Sequence, residues 1–118
     1  MKNFLAVYTG SATSPERSKW DALDPAQRKE REVAGMKAWG EWAAKNQAVI
    51  VTTGGPLGKT KRVSSKGVAD IRNEMAAYTV VKAESHDAAA AVFVNHPHFT
   101  IFPGDGVEIM EVLPIPGM

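Results

Sequence analysis

The tripeptide His96-Pro97-His98 is where side chains that titrate near neutrality sit closest together in this chain. Two imidazoles two residues apart are open to three uses. They could hold a metal with Asp105 or Glu108 as third ligand, although the pattern lacks the helical His-x-x-x-His or cysteine partner that marks such centres. They could be a general acid and base at a pocket rim, His96 or His98 moving the proton and Asp105 assisting. Or they could be structural, with His96 in the last turn of a helix, where the dipole favours it, and Pro97 ending that helix. His86, in the first turn of the same expected helix, reads as a surface residue. No resident metal or cofactor is expected.

The second candidate is the stretch Ala48 to Ser65, AVIVTTGGPLGKTKRVSS. Gly58-Lys59-Thr60 ends like the phosphate loop G-x-x-x-x-G-K-[ST]. That motif needs glycine where this chain has Thr53, and a helix after it, so that backbone amides converge on phosphate. Lys61 to Ser65 reads as extended instead. The stretch is therefore an inner strand, Ala48 to Thr53, followed by a tight turn, Gly54-Gly55-Pro56-Leu57, at the edge of a cleft. Tyr8 and Trp39 are expected as further walls of that cleft, with Lys59 near an anionic group of the ligand. The cluster Lys59, Lys61, Arg62 and Lys66 is also what a solvated hairpin presents.

Other chemistries are excluded or unsupported. The chain has no cysteine, so disulfides, thiolate metal sites and a cysteine nucleophile are out. There is no G-x-S-x-G elbow and no G-x-G-x-x-G fingerprint. Glu41, Glu74 and Glu108 form no recognisable carboxylate pair. The 14 basic and 13 acidic side chains leave a net charge of +1, which directs the chain toward neither nucleic acid nor anionic membrane. The apolar run Phe4 to Tyr8 is too short for a signal-peptide core, and no segment has the length to span a bilayer, so a cytoplasmic chain is expected.

These groups must be positioned by the rest of 118 residues, which suit a single domain over 1–118. Asn3 to Thr9 reads as a strand with Phe4, Ala6 and Tyr8 on one face and Leu5 and Val7 on the other. Ser14-Pro15 starts a single helical turn. Asp24-Pro25-Ala26-Gln27 has capping-box spacing and predicts a helix over Pro25 to Asn46. Val33, Met36, Gly40, Ala43 and Ala44 are its expected core stripe, which turns Trp42 toward the polar side, as a partner or pocket contact or half covered by a loop. Arg62–Ser65 and Val68–Ile71 predict a hairpin around Lys66-Gly67. Ala76 to Ala83 predicts a strand, His86 to Asn95 a helix, His98 to Gly106 a loop, and Val107 to Leu113 a last strand.

The order is the ferredoxin-like βαββαβ pattern with an inserted β-hairpin, an α+β fold. Two helices cover one face of a four-stranded sheet, and apolar residues on the other face call for a second copy packed over it. A homodimer is therefore expected.

Three pieces together, KNFLAVYTG, VTTGGPLG and HPHFTIFPGDGVEIMEVLPIPG, resemble the YCII-related family, including its DGPF branch. The resemblance covers most of the chain and implies a dimeric α+β barrel in the cytoplasm, with a cleft for a small organic molecule. Some members resemble enzymes acting on small ring compounds through a histidine and an aspartate. Two departures are plain. The family's histidine lies on the first long helix, and Pro25 to Asn46 contains none. The DGPF aspartate is replaced here by the Gly54-Gly55-Pro56-Leu57 turn. Proton transfer would then fall to His96, His98 and Asp105, on an aromatic or carbonyl compound. The alternative is a non-catalytic dimeric interaction or regulatory module, with Trp42 and the hairpin as its contact surface.

Overall fold

The computed structural model describes residues 1–117. In chain order the elements are β1 (Lys2–Thr9), α1 (Pro15–Asp21), α2 (Pro25–Lys45), β2 (Ile50–Pro56), β3 (Thr60–Ser64), β4 (Gly67–Ile71), β5 (Met75–Ala83), α3 (His86–Ala91), α4 (Pro97–Thr100) and β6 (Gly106–Glu111). Four strands form one sheet in the order β2-β5-β1-β6, every neighbour antiparallel. The strands β3 and β4 form a separate two-stranded ribbon between β2 and β5. The fold is mixed α+β with the expected order of elements. Among the described residues no helix is long and apolar enough to cross a membrane.

Alternation along β1 decides where the core lies. Phe4, Ala6 and Tyr8 point to the helices and are fully buried. Val81 and Ala83 of β5 join them, with Ala89 and Phe93 from above. On the opposite face Leu5 stands between Val80 and Met110, and Val7 between Tyr78 and Glu108.

Local chemistry starts the helices. The Ser14 hydroxyl accepts from the Arg17 N–H at 3.1 Å, and α1 runs two turns to bury Trp20. At α2 the Asp24 carboxylate accepts from the Gln27 N–H at 2.8 Å, while Gln27 Oε1 accepts from the Asp24 N–H at 3.3 Å. Such a capping box satisfies two otherwise orphaned amides and is worth about 1 kcal/mol.

Three expectations are corrected. The inward stripe of α2 is Gly35, Ala38, Trp39 and Trp42, whereas Val33 and Met36 are 58% and 63% exposed. The aromatic pair decides the rotation, because each indole buries far more apolar area than Val or Met. Gly35 permits it, since a Cβ there would lie 2.5 Å from the Phe102 ring. Trp42 is thus a core-side residue, and its Nε1–H donates to the Val92 carbonyl at 2.8 Å.

The second correction is the helix expected over His86 to Asn95, which ends at Ala91. The following N–H groups move to acceptors three residues back, Val92 to Ala89, Phe93 to Ala90 and Val94 to Ala91, Asn95 adopts φ 59°, and the chain restarts at Pro97. Pro97 therefore opens α4 rather than ending the preceding helix, and His96 is its N-cap.

The third correction concerns β2. It spans Ile50–Pro56, not Ala48 to Thr53, so Gly54 and Gly55 lie inside a strand whose register slips between Ile50 and Thr52 and again between Thr52 and Gly55. They are bulge residues, not a turn. The ribbon begins at Thr60 and turns through Ser65-Lys66, and β6 stops at Glu111.

Gly54 has φ 62°, and an added Cβ would run into the Tyr78 carbonyl oxygen, which the sheet holds in place. Gly54→Ala should therefore cost about 3 kcal/mol from left-handed strain plus overpacking. Urea denaturation checks this: a midpoint equal to wild type would contradict the packing described for this bulge.

Candidate functional site

The end of β1 and the helix α4 bring the polar side chains together. Tyr8 comes from β1, Trp39 and Trp42 from α2, and His96 and His98 from the start of α4. The His96 ring lies 4.5 Å from both the Trp39 and Trp42 rings, edge to face with each. Tyr8 is 5.1 Å from His96 and 5.3 Å from His98, centroid to centroid.

The imidazoles are not equivalent. Nδ1 of His96 accepts the His98 backbone N–H at 3.0 Å, so the proton of the neutral ring sits on Nε2. That Nε2–H is buried without a hydrogen-bond partner, and the ring is fully buried. Burial, and secondarily the neighbouring His98, push its pKa down to about 4. His96 is neutral near pH 7 and offers no lone pair to a substrate.

His98 is anchored differently. Its Nε2–H donates to the Thr9 carbonyl at 2.7 Å, which leaves Nδ1 as the basic nitrogen. Burial holds its pKa below the ordinary histidine value, opposed by the Thr9 hydrogen bond and the Asp105 charge. The Asp105 N–H donates to the same Thr9 carbonyl at 2.9 Å, and the Gly104 N–H donates to the His98 carbonyl at 2.9 Å. Gly104 has no room for a side chain, because a Cβ would meet the His98 ring.

Tyr8 belongs to a third arrangement. The Thr79 hydroxyl donates to the Thr53 carbonyl at 3.1 Å, so the Tyr8 hydroxyl donates to Thr79 across 3.0 Å. Burial pushes the Tyr8 pKa up to about 12.

Neither of two cavities nearby has Tyr8, the tryptophans, His96 or His98 in its lining. One, of about 290 Å³, is walled by Phe93, Val94, Phe99 and Val107, with Asp105 in its lining. The other, of about 410 Å³, lies between the end of α2 and β2, beside Ala43, Gln47 and Ile50 to Thr53.

Of the sequence candidates, Tyr8, Trp39, His96 and His98 converge, and Asp105 joins them through Thr9 and His98. Gly54, Gly55, Pro56, Leu57 and Lys59 do not. Pro56 pairs with Ala77, Gly54 abuts Tyr78, and Lys59 is exposed. Their link to the cluster is the Thr53 carbonyl alone. Among the described residues no three His, Asp or Glu side chains group as metal ligands. Thr79, Phe93 and Phe99 were missed as contributors, while Trp42, expected as a partner or pocket contact, is one wall of the cluster. The spacing Gly35, Trp39, Trp42 carries the signal for Trp42, but nothing in sequence marks Thr79.

No protein-family model matches the chain, and no curated protein matches it in sequence. Solved structures resemble it in fold. The 5-chloro-2-hydroxyhydroquinone dehydrochlorinase (TftG) from Burkholderia phenoliruptrix AC1100, in complex with 2,5-dihydroxybenzoquinone, matches 92% of this chain and 90% of its own at TM-score 0.51. Identity is 16%, so the likeness is one of fold.

The buried neutral His96 makes stability depend on pH. In the unfolded chain the ring titrates near pH 6.5, in the fold near 4. Between these values the unfolded state binds the extra proton, so this contribution is fully present above about pH 6.5 and declines as pH falls toward 4. From pH 7.5 to pH 5 it should cost about 2 kcal/mol, with His98 adding in the same sense. Denaturation at the two pH values measures it. His96→Asn keeps an acceptor at the N-cap and should flatten the dependence; an unchanged slope would remove His96 as its source.

Proposed function

We propose that this chain is a small-molecule-binding homodimer, its two sheets packed face to face as a dimeric α+β barrel of the YCII-related, DGPF-like type. The open face supports the pairing: Leu5, Val80 and Tyr78 are half-buried there and Met110 is exposed, around a buried Val7, an apolar field that a second copy would cover. A cytoplasmic setting suits a chain without cysteine. The ligand is a single-ring aromatic or quinone-like compound carrying a hydroxyl group.

The observation that carries this reading is Asp105 in the 290 Å³ cavity. Phe93 and Phe99 offer flat apolar walls, and a carboxylate accepts hydrogen bonds without donating any when ionised. A ring hydroxyl satisfies both demands. The chlorinated hydroquinone named for TftG, and the dihydroxybenzoquinone bound to it, are compounds of this class.

If the bound ring is converted, we assign the proton to His98, which stands outside the lining of that cavity and acts on the ring through Asp105. Its Nε2–H is fixed on Thr9, its Nδ1 is basic, and the Asp105 charge favours the protonated ring that accepting a proton creates. His96, with Nδ1 committed to the cap of α4, is assigned a structural role. A second reading has one specific support. Both histidines are engaged by backbone groups, as in a non-catalytic module that binds its ligand or a regulatory partner without changing it.

Calorimetric titration with hydroquinone and 2,5-dihydroxybenzoquinone tests the site. Wild type should bind one of them below millimolar concentration, and Asp105→Asn should weaken binding about tenfold. Absence of heat with both at millimolar concentration would sink the ligand reading. Absorbance of the bound ring over hours separates the two versions: loss of conversion in His98→Asn supports acid–base chemistry, and binding without conversion in wild type supports the module. Sedimentation at micromolar concentration should give the mass of two chains, and a single-chain mass would remove the dimer.

A further inference from the structure

We infer that the β3–β4 ribbon is an arm that closes over a second copy of this chain, an inference that rests on the homodimer proposed above. The ribbon pairs only with itself, and every residue from 61 to 70 is exposed. At its root the Asn73 amide donates to the Thr60 hydroxyl at 3.2 Å. A two-stranded ribbon by itself is marginal in water and needs an apolar face packed against something. This ribbon has such a face. Val63 and Val68 are directly opposite one another and 77% and 66% exposed, beside the Lys61–Asp70 ion pair at 2.7 Å.

The shape of the molecule agrees. A chain of this length folded into a compact body has a radius of gyration of about 13 Å. The observed value is 16.3 Å, with extents of 54 × 42 × 19 Å.

Charge names the partner. Lys59, Lys61, Arg62, Lys66 and Arg72 stand against Asp70 alone in residues 59–72, a net +4. The whole chain is +1, which leaves the rest of the molecule at −3. Among the described residues Lys61 is the single cation of the arm in an ion pair. A basic arm and an acidic body are complementary between two copies of the same sequence.

Position completes the argument. The arm leaves β2 at Pro56 and returns to β5 at Met75. β5 carries Tyr78 and Val80 of the open sheet face, and β2 is the edge strand next to it. The arm is therefore rooted at the rim of the surface that the second copy covers. Two-fold symmetry then gives two arms, each with Val63 and Val68 on the partner, and with the charges of Lys66, at the turn, and Arg62, on the ribbon's other face, in the field of its carboxylates.

The test compares the full chain with a variant whose residues 60–71 are replaced by a short glycine–serine link, by sedimentation over a range of concentrations. Wild type should dimerise, and the variant's Kd should rise at least about tenfold. Arg62→Glu with Lys66→Glu should weaken the dimer by a smaller factor that shrinks in high salt. Hydrogen exchange gives an independent readout: the amides of 60–71 should slow as dimer forms. A wild-type dimer with an equal Kd in the deletion variant, or with arm amides exchanging as in an open peptide, overturns the arm and leaves the homodimer standing. A wild type that remains a single chain overturns both.

Discussion

The carbonyl of Thr9 is the point on which the polar half of this structure hangs. It receives the His98 Nε2–H at 2.7 Å and the Asp105 N–H at 2.9 Å, at the place where β1 slips register against β5. A carbonyl with two lone pairs can satisfy two donors, and here one comes from α4 and the other from the loop that follows it. One acceptor thereby fixes a ring and a loop. It also fixes a tautomer, since Nε2–H of His98 must carry the proton. Gly104 allows the ring to lie against the chain, and Asp105 follows directly into the cavity wall. With the Gly104 N–H on the His98 carbonyl, the Thr9 contact holds His98 and Asp105 in a common arrangement.

The aromatic enclosure around His96 depends on the same geometry. The N-cap of α4 uses Nδ1 of His96, and that places the ring between Trp39 and Trp42. Two indoles and a phenol around an imidazole make a dry environment, in which the neutral ring is strongly preferred. The cost is an N–H with no hydrogen-bond partner. A burial of this kind suits a rigid support for the neighbouring loop better than a proton-exchanging group.

Most of the frame was legible in the residues. Phe4, Ala6 and Tyr8 announced their face by strict alternation, and Asp24 and Gln27 announced the start of α2 by capping chemistry. The hairpin was readable from its turn residues. What failed was the rotation of α2, because Val33 and Met36 have the same periodicity as a core stripe, and only tertiary contact with Phe102 shows that the glycine and tryptophan side wins. The break after Ala91 was hidden for a similar reason: the turn that follows it packs against Trp42, fifty positions away in sequence, whose Nε1–H the Val92 carbonyl accepts. Gly54 and Gly55 carry a turn signal that a bulged strand shares. The convergence of Tyr8, Trp39, His96 and His98 was half visible, as residue types without their spacing, while the separation of Lys59 and the Gly54–Leu57 segment required the register of β2.

The central place of β1 carries a further consequence, for the time at which the molecule can form. Residues 2–9 pair with 75–83 on one side and 106–111 on the other. Every ladder bond of that strand thus closes a loop of some seventy to a hundred residues, and such closures are entropically slow. On the ribosome, β1 is made before either of its partners and waits unpaired until β5, residues 75–83, has followed it. Its apolar residues on both faces are exposed throughout that interval, so the core cannot close before β5 is made. The strand that organises the finished sheet is the one that spends longest without a partner.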